Sequence, residues 1–234
     1  MKTIVLLSGG LDSATVLAIC RAEGRECHAL SFRYGQRHAV ELDAAARVAA
    51  HLGAVSHHVC SIDVACLSGS SLTGRGDVPK GRSDEEIEQG IPSTYVPGRN
   101  TLFVAHALSL AESIGAGAIA LGINALDYSG YPDCRPEWLA AMQEVARLGT
   151  KVGIAGQGIT LVAPLVAMGK ADIIREGARL GVDFALTHSC YDPDPSGAAC
   201  GDCDSCQLRR RGFAQAGIAD PTRYRRYGIP TGTR

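Results

Sequence analysis

Two groups of residues in this sequence have the types and spacing to do chemistry. The first is Ser8-Gly9-Gly10-Leu11-Asp12-Ser13, which joins a β-branched apolar run to a segment with apolar residues at helical spacing. A glycine-rich turn entering a helix presents backbone N–H groups to an anion, and in an open α/β sheet ligands sit outside the carboxyl ends of the strands. Gly9 and Gly10 let the backbone approach a phosphate, and the hydroxyls of Ser8 and Ser13 can donate to its oxygens. The plain alternative is an ordinary turn with Asp12 or Ser13 as the helix N-cap. The pattern is neither a G-x-x-x-x-G-K-[ST] loop nor G-x-G-x-x-G.

The second group is Cys190, Cys200, Cys203 and Cys206, a C-x9-C-x2-C-x2-C cluster. Four soft thiolates this close can close a tetrahedral shell, which fits a structural Zn²⁺ and leaves no open position for substrate. An iron–sulfur cluster is the alternative for the same ligands. Metal binding would fold residues 192–199, too polar and too rich in Pro and Gly to pack alone. His188 is read as a hydrogen-bonding or substrate-side residue rather than a ligand.

Positioning these groups falls to a regular alternation of elements. Apolar strands are expected at 3–7, 27–32, 56–62, 118–123 and 159–165, and helices at 12–21, 41–52, 101–114, 136–147 and 170–180. Short apolar strands alternating with helices imply a mostly parallel five-stranded sheet covered on both faces, an α/β fold. Residues 66–100 are rich in Gly, Ser, Pro and charge and are too long for an ordinary connection, so a functional loop or lid, partly disordered without ligand, is expected there. No linker composition divides the chain. The expected organisation is an α/β domain over 1–182 and a small zinc-binding, helical appendage over 183–234, the two possibly continuous.

Composition narrows the function. With 234 residues, 46% hydrophobic and 20% charged, the chain can bury a full core and is not disordered. A formal net charge of −1 leaves no basic footprint for tight nucleic-acid binding. Nine cysteines, an odd number with Cys20, Cys27, Cys60, Cys66 and Cys134 scattered, do not form a disulfide framework, and no apolar run reaches the roughly 18 residues of a membrane span, so a reducing cytoplasm is expected.

The Ser8–Ser13 loop resembles the SGGxDS loop of the N-type ATP pyrophosphatases, which cleave ATP between its α and β phosphates to adenylate a substrate oxygen. That resemblance implies an adenine nucleotide alpha hydrolase-like fold. It places ATP on Leu7, Ser8, Gly9, Gly10, Leu11, Asp12, Ser13, Ala14, Thr15, Val16 and Leu17, with Leu30, Ser31 and Phe32 lining the adenine pocket. Pro164-Leu165 followed by Lys170 looks like the strand-to-helix element that brings a lysine to the phosphates. Tyr95-Val96-Pro97-Gly98-Arg99-Asn100, Gly122-Ile123-Asn124, the run from Asp127 to Pro136, and His188-Ser189-Cys190 with the later cysteines together resemble the QueC family of queuosine biosynthesis, over nearly the whole chain. One departure is Leu11, where that family commonly carries Gln.

The family resemblance implies a ligase that converts 7-carboxy-7-deazaguanine and ammonia to the 7-cyano base through an adenylated acid and an amide, releasing AMP and pyrophosphate. It further implies ATP with Mg²⁺ as co-substrate and a homodimer, and one structural Zn²⁺ per chain is expected, with no direct nucleic-acid or membrane partner. Arg99 is expected to meet the substrate carboxylate or the α-phosphate, Lys170 the phosphates, and Asp127 the Mg²⁺. Asn124, Tyr131, Asp133 and His188 are expected at the base, with Asp127 and Asp133 interchangeable between metal and purine edge. Cys134 reads as a buried structural thiol and Arg209-Arg210-Arg211 as a solvated face. Two rival functions stand beside this one, a tRNA thiolation enzyme of the same superfamily and a non-catalytic nucleotide-binding module.

Overall fold

The structure is a computed structural model that describes residues 1–35, 40–63, 70–73, 76–83, 86–87, 90–124 and 130–225. Five strands, β1 (Lys2–Leu6), β2 (Glu26–Arg33), β3 (Ser56–Ser61), β4 (Ala118–Ala120) and β5 (Thr160–Val162), form one sheet in the order β3-β2-β1-β4-β5. Every pairing is parallel, Val5 opposing Ala29 on one side and Ala120 on the other. The fourth and fifth strands are shorter than their apolar runs suggest: Leu121 still donates its N–H to the Val162 carbonyl at 2.9 Å, but Ile123 and Leu165 are buried outside the strands.

Strand alternation sends neighbouring residues to opposite faces, and each face has its own core. Val5, Leu7, Cys27 and Ala29 pack with α1 (Leu11–Ala22), α2 (Val40–His51), α5 (Lys170–Arg179) and Phe213 of α6 (Asp204–Ala216). Ile4, Leu30, Phe32 and Ile119 pack with α3 (Arg99–Ile114) and α4 (Pro136–Gly149). Phe213 places α6 in the main core, so the cysteine-bearing segment is anchored to the sheet and does not hang from it.

The chain runs outward from β1 through β2 to β3, then returns to the other side of β1 to lay down β4 and β5. The reversal opens a crevice between the carboxyl ends of β1 and β4, the place where α/β sheets bind ligands. The loop after β1 and residues 121–124 after β4 meet there. Gly122 lets the two segments approach closely, since a Cβ there would come within 3.3 Å of the Ser13 backbone.

Candidate functional site

The glycine-rich loop is built to expose amides. Gly10 is the N-cap of α1, and no side chain caps that helix, so neither Asp12 nor Ser13 closes its first turn. Ser13 Oγ instead donates to the Gly10 carbonyl at 3.1 Å and accepts from the Ser8 N–H at 3.2 Å, which holds the turn in shape. Gly9 has φ +85°, and a Cβ there would strike the Glu41 carbonyl at 2.5 Å, so the loop lies pressed against α2. The backbone N–H of His188 donates to the Gly9 carbonyl at 2.8 Å and ties the cysteine segment to the loop.

Around this loop lies a cavity of about 230 Å³. Leu7, Ser8, Gly10, Leu11, Asp12, Ser13, Leu30 and Phe32 line it, as do Arg99, Asn124, Tyr131, Lys170 and His188. Residues from seven separate stretches of sequence therefore share one cleft. Lys170 begins α5 almost fully buried, its ammonium 2.8 Å from Asp12 Oδ1 and 2.9 Å from Oδ2. Its stem packs on Gly212, where a Cβ would sit 2.4 Å from Lys170 Cγ. Asn124 is fully buried, and its Nδ2 donates to the Met168 carbonyl at 2.8 Å. Asp127 lies outside the described residues.

Other expected residues turn away from the cleft. Ser31 points to the face opposite Leu30 and Phe32, where its hydroxyl donates to the Leu7 carbonyl at 2.5 Å and meets His57 Nε2 at 2.7 Å. Ala14, Val16 and Leu17 are core residues of α1, and the Thr15 hydroxyl donates to the Leu11 carbonyl at 2.9 Å. Gly9 faces α2. Asp133 is 4% exposed and caps α3 from outside, with Oδ2 accepting the Asn100 N–H at 2.9 Å. Arg209 corrects the expectation of a solvated face. It is 2% exposed and donates to Asp220, Thr187, Ser189 and the Phe184 carbonyl, because α6 turns that position into the protein.

Arg99 opens α3 behind a left-handed Gly98. Its guanidinium lies among Tyr34, Tyr131 and Tyr191, with Nη1 3.5 Å from the Tyr34 hydroxyl, and Nε is buried with no hydrogen-bond partner. Tyr131 donates to or accepts from Thr94 Oγ1 at 2.6 Å and meets the Tyr95 ring edge-on. Phe32 stacks on Phe103 with centroids 4.0 Å apart, an apolar wall on the same side of the cleft. Burial raises the Cys134 thiol to about 12, aided by the Asp133 charge, which leaves it a poor nucleophile.

The four cysteines converge. Cys190, Cys200, Cys203 and Cys206 are buried, with their sulfurs all within 4.8 Å of one another. Backbone amides of Cys200 and Cys203 donate to the sulfurs of Cys190 and Cys200 at 3.1 and 3.3 Å, the contacts that stabilise thiolates. At a Zn–S distance of about 2.3 Å, tetrahedral ligands stand roughly 3.8 Å apart, so this donor set fits zinc. Residues 76–83 brace the cluster. Lys80 bridges to Cys203, and Arg82 makes a bidentate pair with Asp204 at 3.0 and 2.5 Å.

Sequence reasoning missed Tyr34, Glu41, Ser189, Tyr191 and Arg209, which also line the cleft. Nothing in local spacing marks them, because tertiary packing brings them in; Glu41 reads as an ordinary acidic residue in the first turn of a helix.

A parallel 3-2-1-4-5 sheet with an uncapped glycine-rich loop and a buried lysine at its switch point defines a nucleotide-binding α/β protein. Within that class the chain belongs to the QueC family: the family model described as "Queuosine biosynthesis protein QueC" matches residues 2–217. It is 58% identical over 224 residues to a 7-cyano-7-deazaguanine synthase of Desulfatibacillum aliphaticivorans, covering 95% of this chain and 96% of the relative. It is also 58% identical over 222 residues to the same enzyme of Kineococcus radiotolerans, covering 95% and 97%. Among solved structures, NMN synthetase from Francisella tularensis aligns with a TM-score of 0.47 at 17% identity, covering 93% of this chain and 77% of that one.

Proposed function

We propose that this protein is a carbon–nitrogen ligase that converts 7-carboxy-7-deazaguanine and ammonia to 7-cyano-7-deazaguanine, with AMP and pyrophosphate released at each of two adenylations. What carries the reading is the cleft itself, where Lys170 reaches the glycine-rich loop in a chain that matches, over 95% of its length, relatives named for that product. A carboxylate is a poor electrophile because its leaving group would be oxide. Attack of its oxygen on the α-phosphorus of ATP replaces that leaving group with AMP, and ammonia then displaces AMP to give the amide. A second adenylation, on the amide oxygen, lets AMP depart as the C–N triple bond forms.

The uncapped amides of the loop and the Lys170 ammonium supply positive potential where pyrophosphate leaves. Arg99, an always-charged fork in an aromatic surround, suits the acid's carboxylate, and Tyr131, Asn124 and His188 bound the base site. Mg²⁺ supplies further charge neutralisation on ATP when bound, and Asp12, at the loop, and Asp127 are the carboxylates proposed for it. Catalysis rests on positioning and electrostatics with no enzyme nucleophile.

Zn²⁺ at Cys190, Cys200, Cys203 and Cys206 is structural in this reading, since four thiolates leave it no open position. None of the eight described cysteines is joined in a disulfide, which suits a reducing cytoplasm, and a homodimer is proposed for the assembly. Among the described residues no helix is long and apolar enough to cross a membrane.

The test is incubation of purified protein with Mg-ATP, ammonium and 7-carboxy-7-deazaguanine, with base and nucleotide products read by mass spectrometry. Nitrile with AMP is the expected result. AMP without nitrile would keep the adenylation and change the acceptor, and neither product from zinc-replete protein would favour a binding module.

A further inference from the structure

The cleft holds a carboxylate that adenylation does not use. Glu41 stands in the first turn of α2, and its carbonyl lies against Gly9, so the residue is fixed beside the phosphate loop. It lines the same cavity as Lys170 and Arg99. Among the described residues its carboxylate has neither a hydrogen bond nor an ion pair, although such a group in a cleft ordinarily acquires one.

The proposed reaction asks for a proton acceptor at one atom. Ammonium has no lone pair, and all four of its N–H bonds break on the way to a nitrile. The groups assigned to the phosphates and the acid's carboxylate are poorly suited to take those protons, and His188 is assigned to the base. Lys170 and Arg99 are cations, and the two oxygens of Asp12 already accept from Lys170.

We propose that Glu41 is the base that removes protons from the reacting nitrogen in both halves of the reaction, a role that rests on the ligase reading. In the first half its carboxylate takes a proton from ammonium. The freed lone pair forms the C–N bond at the acyl carbon, and the C–O bond to AMP breaks with its electron pair leaving on AMP. After Glu41 returns its proton to water, it takes the surplus proton of the new amide. In the second half the adenylated amide is a cationic imidate with two N–H bonds. Glu41 removes these protons in turn, the second as the N–H electron pair becomes the third C–N bond and AMP leaves.

Burial raises the Glu41 carboxyl to about 7, against the pull of the Arg99 charge, so the group is poised near the pH at which a general base works best. The charged and titratable groups around it are Arg99 from α3 and the neutral phenol of Tyr34 after β2, with the Asp12–Lys170 pair and His188 elsewhere on the cleft wall. Arg37 and His38, just before it in the chain, lie outside the described residues.

The experiment compares Glu41→Gln with wild type as full-length, zinc-replete protein. ATP–pyrophosphate exchange, driven by the deazaguanine acid without ammonium, reads adenylation alone and is expected to stay within about 3-fold of wild type. Amide and nitrile formation from ammonium should fall about 100-fold or more, with the rate limb that rises through pH 7 removed. Hydroxylamine, unprotonated at neutral pH, needs no base to attack, so hydroxamate formation should recover to within about 3-fold of wild type. Exchange falling in parallel with nitrile formation would overturn the proposal and make Glu41 a binding group. Nitrile formation unchanged in Glu41→Gln would overturn it as well. A wild-type protein with neither exchange nor nitrile would instead strike the ligase reading on which the proposal stands.

Discussion

Lys170 holds its ammonium 2.8 and 2.9 Å from the two carboxylate oxygens of Asp12, a residue 158 positions earlier in the chain. Their side chains are 6% and 19% exposed, so the pair is screened little by water. Such a pair holds the lysine beside the glycine-rich loop, where an incoming anion would compete with Asp12 for it. Lys170→Met keeps the stem on Gly212 but leaves Asp12 uncompensated, and should lower stability by about 3 kcal/mol in chemical denaturation. Acid-dependent ATP–pyrophosphate exchange should drop by about 100-fold or more. Lost stability with exchange intact would show that the lysine serves only the fold.

Arg99 carries a buried Nε without a partner in a cleft walled by Tyr34, Tyr131 and Tyr191. An orphan donor of this kind is filled by an acceptor on the ligand, and the aromatic walls suit a planar base better than a triphosphate. Arg99→Ala should reduce kcat/KM for the deazaguanine acid by about 100-fold or more, while KM for ATP changes by less than about 3-fold. Arg99→Lys restores the charge but not the fork, so it should recover only part of the loss. A rise confined to the KM of ATP would move the guanidinium to the α-phosphate.

The cysteine cluster reaches the cleft through three residues. Ser189 and Tyr191 flank Cys190, and Ser205 precedes Cys206, and all three line the cavity. Metal analysis of the purified protein should therefore give one zinc per chain, in colourless solution; a brown protein would indicate an iron–sulfur cluster. Chelation should abolish nitrile formation and expose residues 190–206 to protease, while far-ultraviolet circular dichroism retains the signal of the sheet and its helices. Activity that survives complete zinc removal would disconnect the cluster from the site.

The fold was legible because its signals are local. Apolar runs, glycine stops at Gly115 and Gly181, and the Ser8–Ser13 turn each act within a few residues, and the helix expected at 101–114 is found two residues longer, starting at Arg99. The four cysteines were legible for the same reason. What escaped depends on orientation: Ser31 and Asp133 have suitable chemistry, yet one turns to the opposite face and the other caps α3. Arg209 shows the reverse case, a member of a charged run drawn inward by Asp220, Thr187 and the Phe184 carbonyl. Spacing cannot report which way a helix faces when a run of three arginines covers both its buried and its exposed sides.

The raised Glu41 carboxyl also fixes how stability follows pH. Burial moves it from its ordinary value of 4.5 to about 7, so the folded protein binds this proton more tightly than the unfolded chain does. Its contribution to stability is fully present below about pH 4.5 and is lost as pH rises through about 7. Glu41→Gln removes the charge without removing volume. The variant should therefore match wild type near pH 5 and exceed it near pH 8, by about 1–3 kcal/mol after allowance for partial exposure. Thermal unfolding of both proteins across this range measures the difference directly. A gap that does not widen between pH 5 and 8 would mean that the carboxylate is already stabilised in the free enzyme, and would remove the reason for its being poised as a base at neutral pH.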